Sequence, residues 1–125
     1  MELSHSSPRS LACVFSKTSF ASNRETLDYL LGVSVFYERS AVFLFRSSFF
    51  VFMKNCGVNP ELAGERDFIK AASLLGLLDI TEIYVIENEL SGSGISTSDF
   101  VMPVTILNEK SFYEYLRSFT DVMML

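Results

Sequence analysis

Asp67-Phe-Ile-Lys-Ala-Ala-Ser-Leu-Leu-Gly-Leu-Leu-Asp-Ile80, followed two residues later by Ile83-Tyr-Val-Ile86, carries the decision on the fold. Phe68, Ala71, Ala72 and Leu75 recur at helical spacing, so a helix over residues 65–75 has one stripe to bury. Gly76 stands where a helix closes through a left-handed residue, with Leu77 as the apolar contact that accompanies such an ending. Ile83–Ile86 is apolar without alternation. That is the pattern of a strand covered on both faces, as in a parallel sheet between helices.

The same two patterns recur on either side of this segment. Leu11–Phe15 and Ala41–Phe45 are short continuous apolar runs and read as buried strands. Between them, Ser22 and Glu25 have the spacing of a capping box, and Leu27, Leu30, Leu31 and Val35 form one helical face running to about Tyr37. Arg24, Asp28 and Glu38 fall nearer solvent. The short link into the second strand makes this a βαβ unit with a right-handed crossover. Phe49–Lys54 reads as a helical turn or two, and Gly57-Val-Asn-Pro60 as a break. After the third strand, Glu87–Leu90 continues as a short helix and Ser91–Gly94 as a flexible turn. Phe100–Ile106 is extended, demoted to an edge by Pro103. Asn108 caps a last helix with Phe112, Tyr115 and Leu116 inward, and Val122–Leu125 is a fifth strand. Strands and helices alternate throughout. The order predicts an α/β three-layer sandwich on a mainly parallel five-stranded sheet.

Size and charge narrow the function classes. The chain has 125 residues, 49% of them hydrophobic, which is enough for one core. The expected organisation is a polar tail over residues 1–10 and a single domain over 11–125. Ten basic against fifteen acidic residues give a net charge of −5, which opposes direct nucleic-acid binding and attachment to an anionic membrane. Ala41–Met53 is interrupted by Arg46-Ser47-Ser48 and falls short of the ~20 apolar residues of a spanning helix. Met1–Ser10 lacks the charged-then-apolar order of a secretory signal. Cys13 and Cys56 have no disulfide or zinc spacing, so a reducing, cytoplasmic setting is expected.

Three stretches taken together carry a resemblance: Asn23-Arg-Glu-Thr-Leu-Asp-Tyr-Leu-Leu31; Asp67-Phe-Ile69 with Leu74-Leu-Gly-Leu-Leu-Asp-Ile80; and Leu90 with Gly94-Ile95 and Asp99-Phe100. The chain resembles the DsrE/DsrF-like sulfur-relay family, most closely its TusC branch, from Leu11 to the final Asp121-Val-Met-Met124. The resemblance implies a DsrEFH-like fold and a place beside TusB-like and TusD-like subunits in a cytoplasmic dimer of heterotrimers. Such an assembly passes persulfide sulfur from an upstream carrier to a downstream acceptor, toward 2-thiolation of the wobble uridine of certain transfer RNAs. In the Dsr relatives the analogous role is sulfur oxidation. Two loops depart from the family pattern. Thr18-Ser-Phe-Ala-Ser22 replaces a proline and a glycine after the first strand, and Arg46-Ser-Ser48 replaces an acidic residue and a glycine after the second.

A persulfide relay needs an accessible thiolate stabilised by a helix amino end or a cation. Cys56, close to Lys54 and Gly57, is the residue to weigh for that role; Cys13, in mid-strand, suits a small buried apolar role. The resemblance places the sulfur-bearing cysteine of the sister subunit just after the strand matching Ile83–Ile86, where this chain has Glu87-Asn88-Glu89. Carboxylates raise the pKa of a nearby thiol rather than lower it. The expectation is therefore a non-catalytic structural subunit, with no catalytic, cofactor-binding or metal-binding residue and no cofactor. Two rivals stand beside it. One is a persulfide-carrying sulfurtransferase using Cys56. The other is a flavodoxin-like phosphate or nucleotide binder using the hydroxyls of Ser16–Asn23 at the start of a helix, a loop that has no glycine and whose Ser22 serves better as a cap. His5, on the polar tail, reads as solvated. Phe43, Phe45, Phe49, Phe50 and Phe52 crowd into ten residues; core packing accounts for those on the strand, and surplus at the surface is the mark of a protein contact.

Overall fold

A computed structural model of the chain describes residues 8–17, 19–46, 48–54 and 63–125. Five strands, β1 (Ser10–Phe15), β2 (Arg39–Leu44), β3 (Glu82–Ile86), β4 (Thr105–Leu107) and β5 (Asp121–Met124), form one sheet in the order β4-β3-β2-β1-β5. Every neighbouring pair is parallel, with Ala12 opposite Ala41 and Val122, and Phe43 opposite Tyr84. The helices are α1 (Phe20–Val33), α2 (Ala63–Ala72), α3 (Leu74–Leu77), α4 (Glu87–Leu90) and α5 (Glu109–Arg117).

Side chains of a strand alternate between faces, so the apolar runs feed two cores. Leu11, Cys13, Phe15, Val42, Leu44, Ile83 and Val85 pack with Leu27 and Leu30 of α1, Phe68, Ala71 and Ala72 of α2, and Leu75 of α3. Ala12, Val14, Ala41, Phe43, Tyr84 and Ile86 face the other way, against Phe112 and Phe119 at α5. The expected three-layer α/β sandwich is present, and its central strands are buried on both faces.

Helix boundaries differ from the sequence reading. The helix expected over 65–75 breaks after Ala72, turns at Ser73 and rewinds as α3, while its stripe of Phe68, Ala71, Ala72 and Leu75 is buried as expected. Gly76 does not close it. Asp79 does, at φ 61°, its N–H donating to the Gly76 carbonyl (3.1 Å) while Ile80 N–H donates to that of Leu75 (2.9 Å). This is the two-bond left-handed helix ending, displaced by three residues. The displacement brings buried Ile80 against Leu75, whereas Leu77, expected as the apolar contact, is 78% exposed.

At the start of α1 the cap is Ser19 rather than Ser22. Its backbone is extended, and its Oγ accepts the Ser22 N–H at 3.1 Å. Starting at Phe20 brings that ring edge-on to Phe50 and Phe68, a packing gain unavailable to a helix that starts later. At the other end, residues Ser34–Phe36 tighten into a 3-10 turn. The change from 100° to about 120° per residue carries Val35 off the buried face, where the spacing had placed it, to 69% exposure.

The 3-10 turn Ser48–Phe52 bears on the phenylalanine cluster, for which core packing and a subunit contact both stood open. Phe49 and Phe52 are buried and Phe50 is half-buried, each edge-on to an aromatic brought from elsewhere: Phe100, Phe15 and Phe68, and Phe20. Phe49 and Phe52 serve the core, and Phe50 packs against it. The Ser91–Gly94 turn has Gly92 and Gly94 at positive φ, as two glycines allow, but it is pinned. Ser93 Oγ donates to the Leu90 carbonyl and accepts from Ile95 N–H. Pro103 precedes the edge strand β4, and Phe100 instead bridges to Met53. The Gly57–Pro60 break lies outside the described residues.

Candidate functional site

The carboxyl edge of a parallel sheet is where α/β folds place ligands and reacting groups, because strands end there facing helix amino ends. In this chain β1 runs out into Ser16-Lys17, β2 into Phe45-Arg46, and β3 directly into α4 with no intervening residue. The exit of β2 is tightly held. Phe45 N–H is shared between the Phe15 carbonyl (2.9 Å) and Ser48 Oγ (3.1 Å), and buried Ser48 Oγ donates to that same carbonyl at 2.7 Å. Arg46 follows at φ 55°, a left-handed conformation that a glycine would adopt without strain. Its N–H donates to Glu89 Oε2 at 3.1 Å, so α4 clamps the bend, and its guanidinium sits 5.5 Å from the Phe45 ring centre.

Thiol chemistry has little foothold among the described residues. Cys13 has no exposed surface, and burial pushes its thiol up to about 12. A thiol so placed is protonated at neutral pH and sealed from a donor. Its mid-strand position had predicted that burial. Cys56 and His5 lie outside the described residues. The position after β3, the expected seat of a sister subunit's sulfur carrier, presents exposed Glu87 and Asn88 and half-buried Glu89.

The described residues around the start of α1 bond to one another. Buried Asn23 donates from Nδ2 to the carbonyls of Lys17 (3.0 Å) and Ser19 (2.9 Å), while Ser19 Oγ is committed to the cap. Its Oδ1 is buried with no partner. The Ser19 hydroxyl and the Asn23 side-chain amide therefore serve the turn at this helix start. No group of three or more His, Cys, Asp or Glu among the described residues is arranged to hold a metal. No helix among them is long and apolar enough to cross a membrane.

Two polar clusters at the amino edge of the sheet escaped the sequence reading. Arg39, at the start of β2, holds Glu82, at the start of β3, through two bonds of 2.7 and 2.6 Å. Tyr84 and Tyr115 hydroxyls donate to Glu82 Oε1 at 2.7 and 3.2 Å, and the Arg39 guanidinium lies 4.5 Å from the Phe119 ring centre. The Arg39 bonds outweigh partial burial and hold the Glu82 carboxyl at about 2; burial and its acceptor partners raise the Tyr84 phenol. The second cluster joins Asp121 of β5 to Arg9 (2.6 Å) and the Tyr37 hydroxyl (2.8 Å). The first ties β2 to β3, and the second ties β5 to the residues that lead into β1 and β2. Opposite charges opening adjacent apolar runs were the available signal, and it needs strand order to be read.

Exposed apolar side chains lie away from the phenylalanine cluster. Val35, Phe36, Leu77 and Leu78 are exposed where α1 and α3 end, and Val122 and Met124 along β5. Helical spacing hid Val35, which shares a face with buried Leu27 on paper alone.

No protein-family model matches the chain. Among curated proteins it is similar to the Protein TusC homolog of Aliivibrio fischeri, 28% identical over 106 residues, which span 85% of this chain and 88% of that protein. It is 32% identical over 117 residues to Protein TusC of Escherichia fergusonii and of Escherichia coli, spanning 91% of this chain and 96% of each relative. Among solved structures, the crystal structure of the ychN protein from E. coli superposes with a TM-score of 0.66 over 94% of this chain and 98% of that one. At 12% identity that likeness speaks for the fold.

Proposed function

The chain belongs to the TusC family, and from that premise we propose that it is a non-catalytic subunit of a TusBCD-type sulfur-relay assembly, holding the sulfur-bearing subunit in place. The assembly is a cytoplasmic dimer of heterotrimers with TusB-like and TusD-like partners. It serves 2-thiolation of the transfer-RNA wobble uridine, handing sulfur to a downstream acceptor without this chain touching nucleic acid or membrane. Its contribution is positional: apolar surface is buried against neighbours, and the persulfide resides elsewhere. The observation that carries this reading is the carboxyl edge of the sheet. There the position after β3 holds Glu87 and Glu89 rather than a thiol, and Cys13 is sealed inside β1 with its pKa at about 12.

Co-expression with TusB-like and TusD-like proteins, followed by intact-mass measurement, is expected to give a complex containing all three chains. Persulfide mapping during turnover is expected to find sulfane sulfur on a partner and none on this chain, and Cys56→Ser is expected to leave transfer unchanged. Sulfur carried on Cys56, with transfer abolished by that substitution, would overturn the non-catalytic role.

A further inference from the structure

Between the end of α1 and the end of α3, at the amino edge of the sheet, a cavity of about 350 Å³ is lined by Val35, Glu38, Arg39, Leu78, Asp79 and Glu82, among others. Two properties set it apart. Its lip is apolar and exposed, with Val35 at 69% and Leu78 at 41%, and their chain neighbours Phe36 and Leu77 reach 72% and 78%. Four large apolar side chains so displayed on adjoining helix ends are the composition of a contact surface rather than of solvent-facing residues.

Its charge is also unbalanced. Three carboxylates line the cavity against one guanidinium, and that guanidinium is committed to Glu82 through two bonds. Tyr37, also in the lining, gives its hydroxyl proton to Asp121, and nearby Arg9 is paired with the same carboxylate. No cation among the described residues pairs with Glu38 or Asp79. Asp79 is held here by the left-handed turn that ends α3, so its place at the rim is built into the backbone.

We propose that this face docks a segment of a partner subunit that presents an aliphatic or aromatic side chain flanked by lysine or arginine. The apolar residue enters between Val35 and Leu78, and the cation meets Glu38 and Asp79. Complementary charge fixes the register of such a contact and disfavours wrong partners. A second copy of this chain face to face would bring a second set of carboxylates and no uncommitted cation to meet them, since Arg39 is held by Glu82. Phosphate backbones and anionic lipids are repelled for the same reason. The proposal rests on the subunit role above and adds where a partner sits and what it carries.

The test uses the full chain co-purified with its TusB-like and TusD-like partners. One variant joins Glu38→Lys to Asp79→Lys. A second joins Glu38→Gln to Asp79→Asn, keeping a side chain tolerant of the left-handed turn, and a third is Val35→Ser with Leu78→Ser. Each is checked for an unchanged melting temperature alone. The expected result is assembly weakened about tenfold or more by the first and third variants. The wild-type complex should also loosen between about 50 mM and about 500 mM salt, a response largely lost in the second variant. Amides of residues 34–38 and 77–79 should gain hydrogen-exchange protection on assembly. Wild-type assembly with unaltered affinity in all variants overturns this docking face and leaves the subunit role standing. Failure of the wild-type chain to assemble overturns both.

Discussion

Cys13 sits in mid-β1 with no exposed surface, and a thiol held near 12 is ionised in roughly one molecule in 10⁴ at pH 8. In a Cys56→Ser background, a thiol-reactive dye should therefore label the native protein at the rate of its unfolding and no faster. Labelling at the rate of a free thiol would show Cys13 to be accessible. Asp79 is the second residue with a definite physical duty. A β-branched side chain at φ 61° is strained, so Asp79→Val should destabilise by about 1–2 kcal/mol, while Asp79→Gly stays within about 1 kcal/mol of wild type in urea unfolding. Both roles differ in legibility. Mid-strand position announced the burial of Cys13; nothing local distinguished Asp79 from Gly76 as the helix ending, because both residue types enter left-handed turns and the choice hangs on which apolar neighbour meets Leu75.

Helix α5 covers its face of the sheet with Phe112, Tyr115 and Leu116, and it begins at Asn108, whose Oδ1 accepts the Ser111 N–H at 2.8 Å. Asn108→Ala should lower stability by about 1 kcal/mol, read as a lower melting temperature. The same substitution at Ser22, which caps nothing, should be felt much less. The Ser48–Phe52 turn works through packing instead. Phe52 is fully buried between Phe15 and Phe68, at 5.6 and 5.2 Å between ring centres, so Phe52→Ala should remove about 3–5 kcal/mol. Strands proved easier to read than helix ends. A run such as Ala41–Leu44 has no polar residue to offer solvent, whereas Ser16, Ser19 and Ser22 are three equally suitable hydroxyls from which tertiary packing of Phe20 selects one.

Across the assembled fold, Arg39 and Glu82 tie β2 to β3, and Tyr115 brings α5 into the same group. The Glu82 carboxyl is held below its ordinary value, at about 2, so the folded state gains from its ionised form. That stabilisation is complete above the unfolded carboxylate range near pH 4.5 and is lost as pH falls toward 2. Both side chains keep some exposure, 42% for Arg39 and 29% for Glu82, which reduces the expected loss to ~1–2 kcal/mol. Acid titration of stability in Glu82→Gln should lack this component; an unchanged acid limb would show the pair to be idle. Apolar runs separated by amphipathic stretches were enough to specify a parallel sheet between helices, since side-chain period follows from backbone geometry alone. The helix ends, the burial of Phe49 and Phe52, the pairing of Arg39 with Glu82 and the exposure of Val35, Phe36, Leu77 and Leu78 were settled by contacts distant in sequence. A side chain's burial depends on what the rest of the chain sets against it.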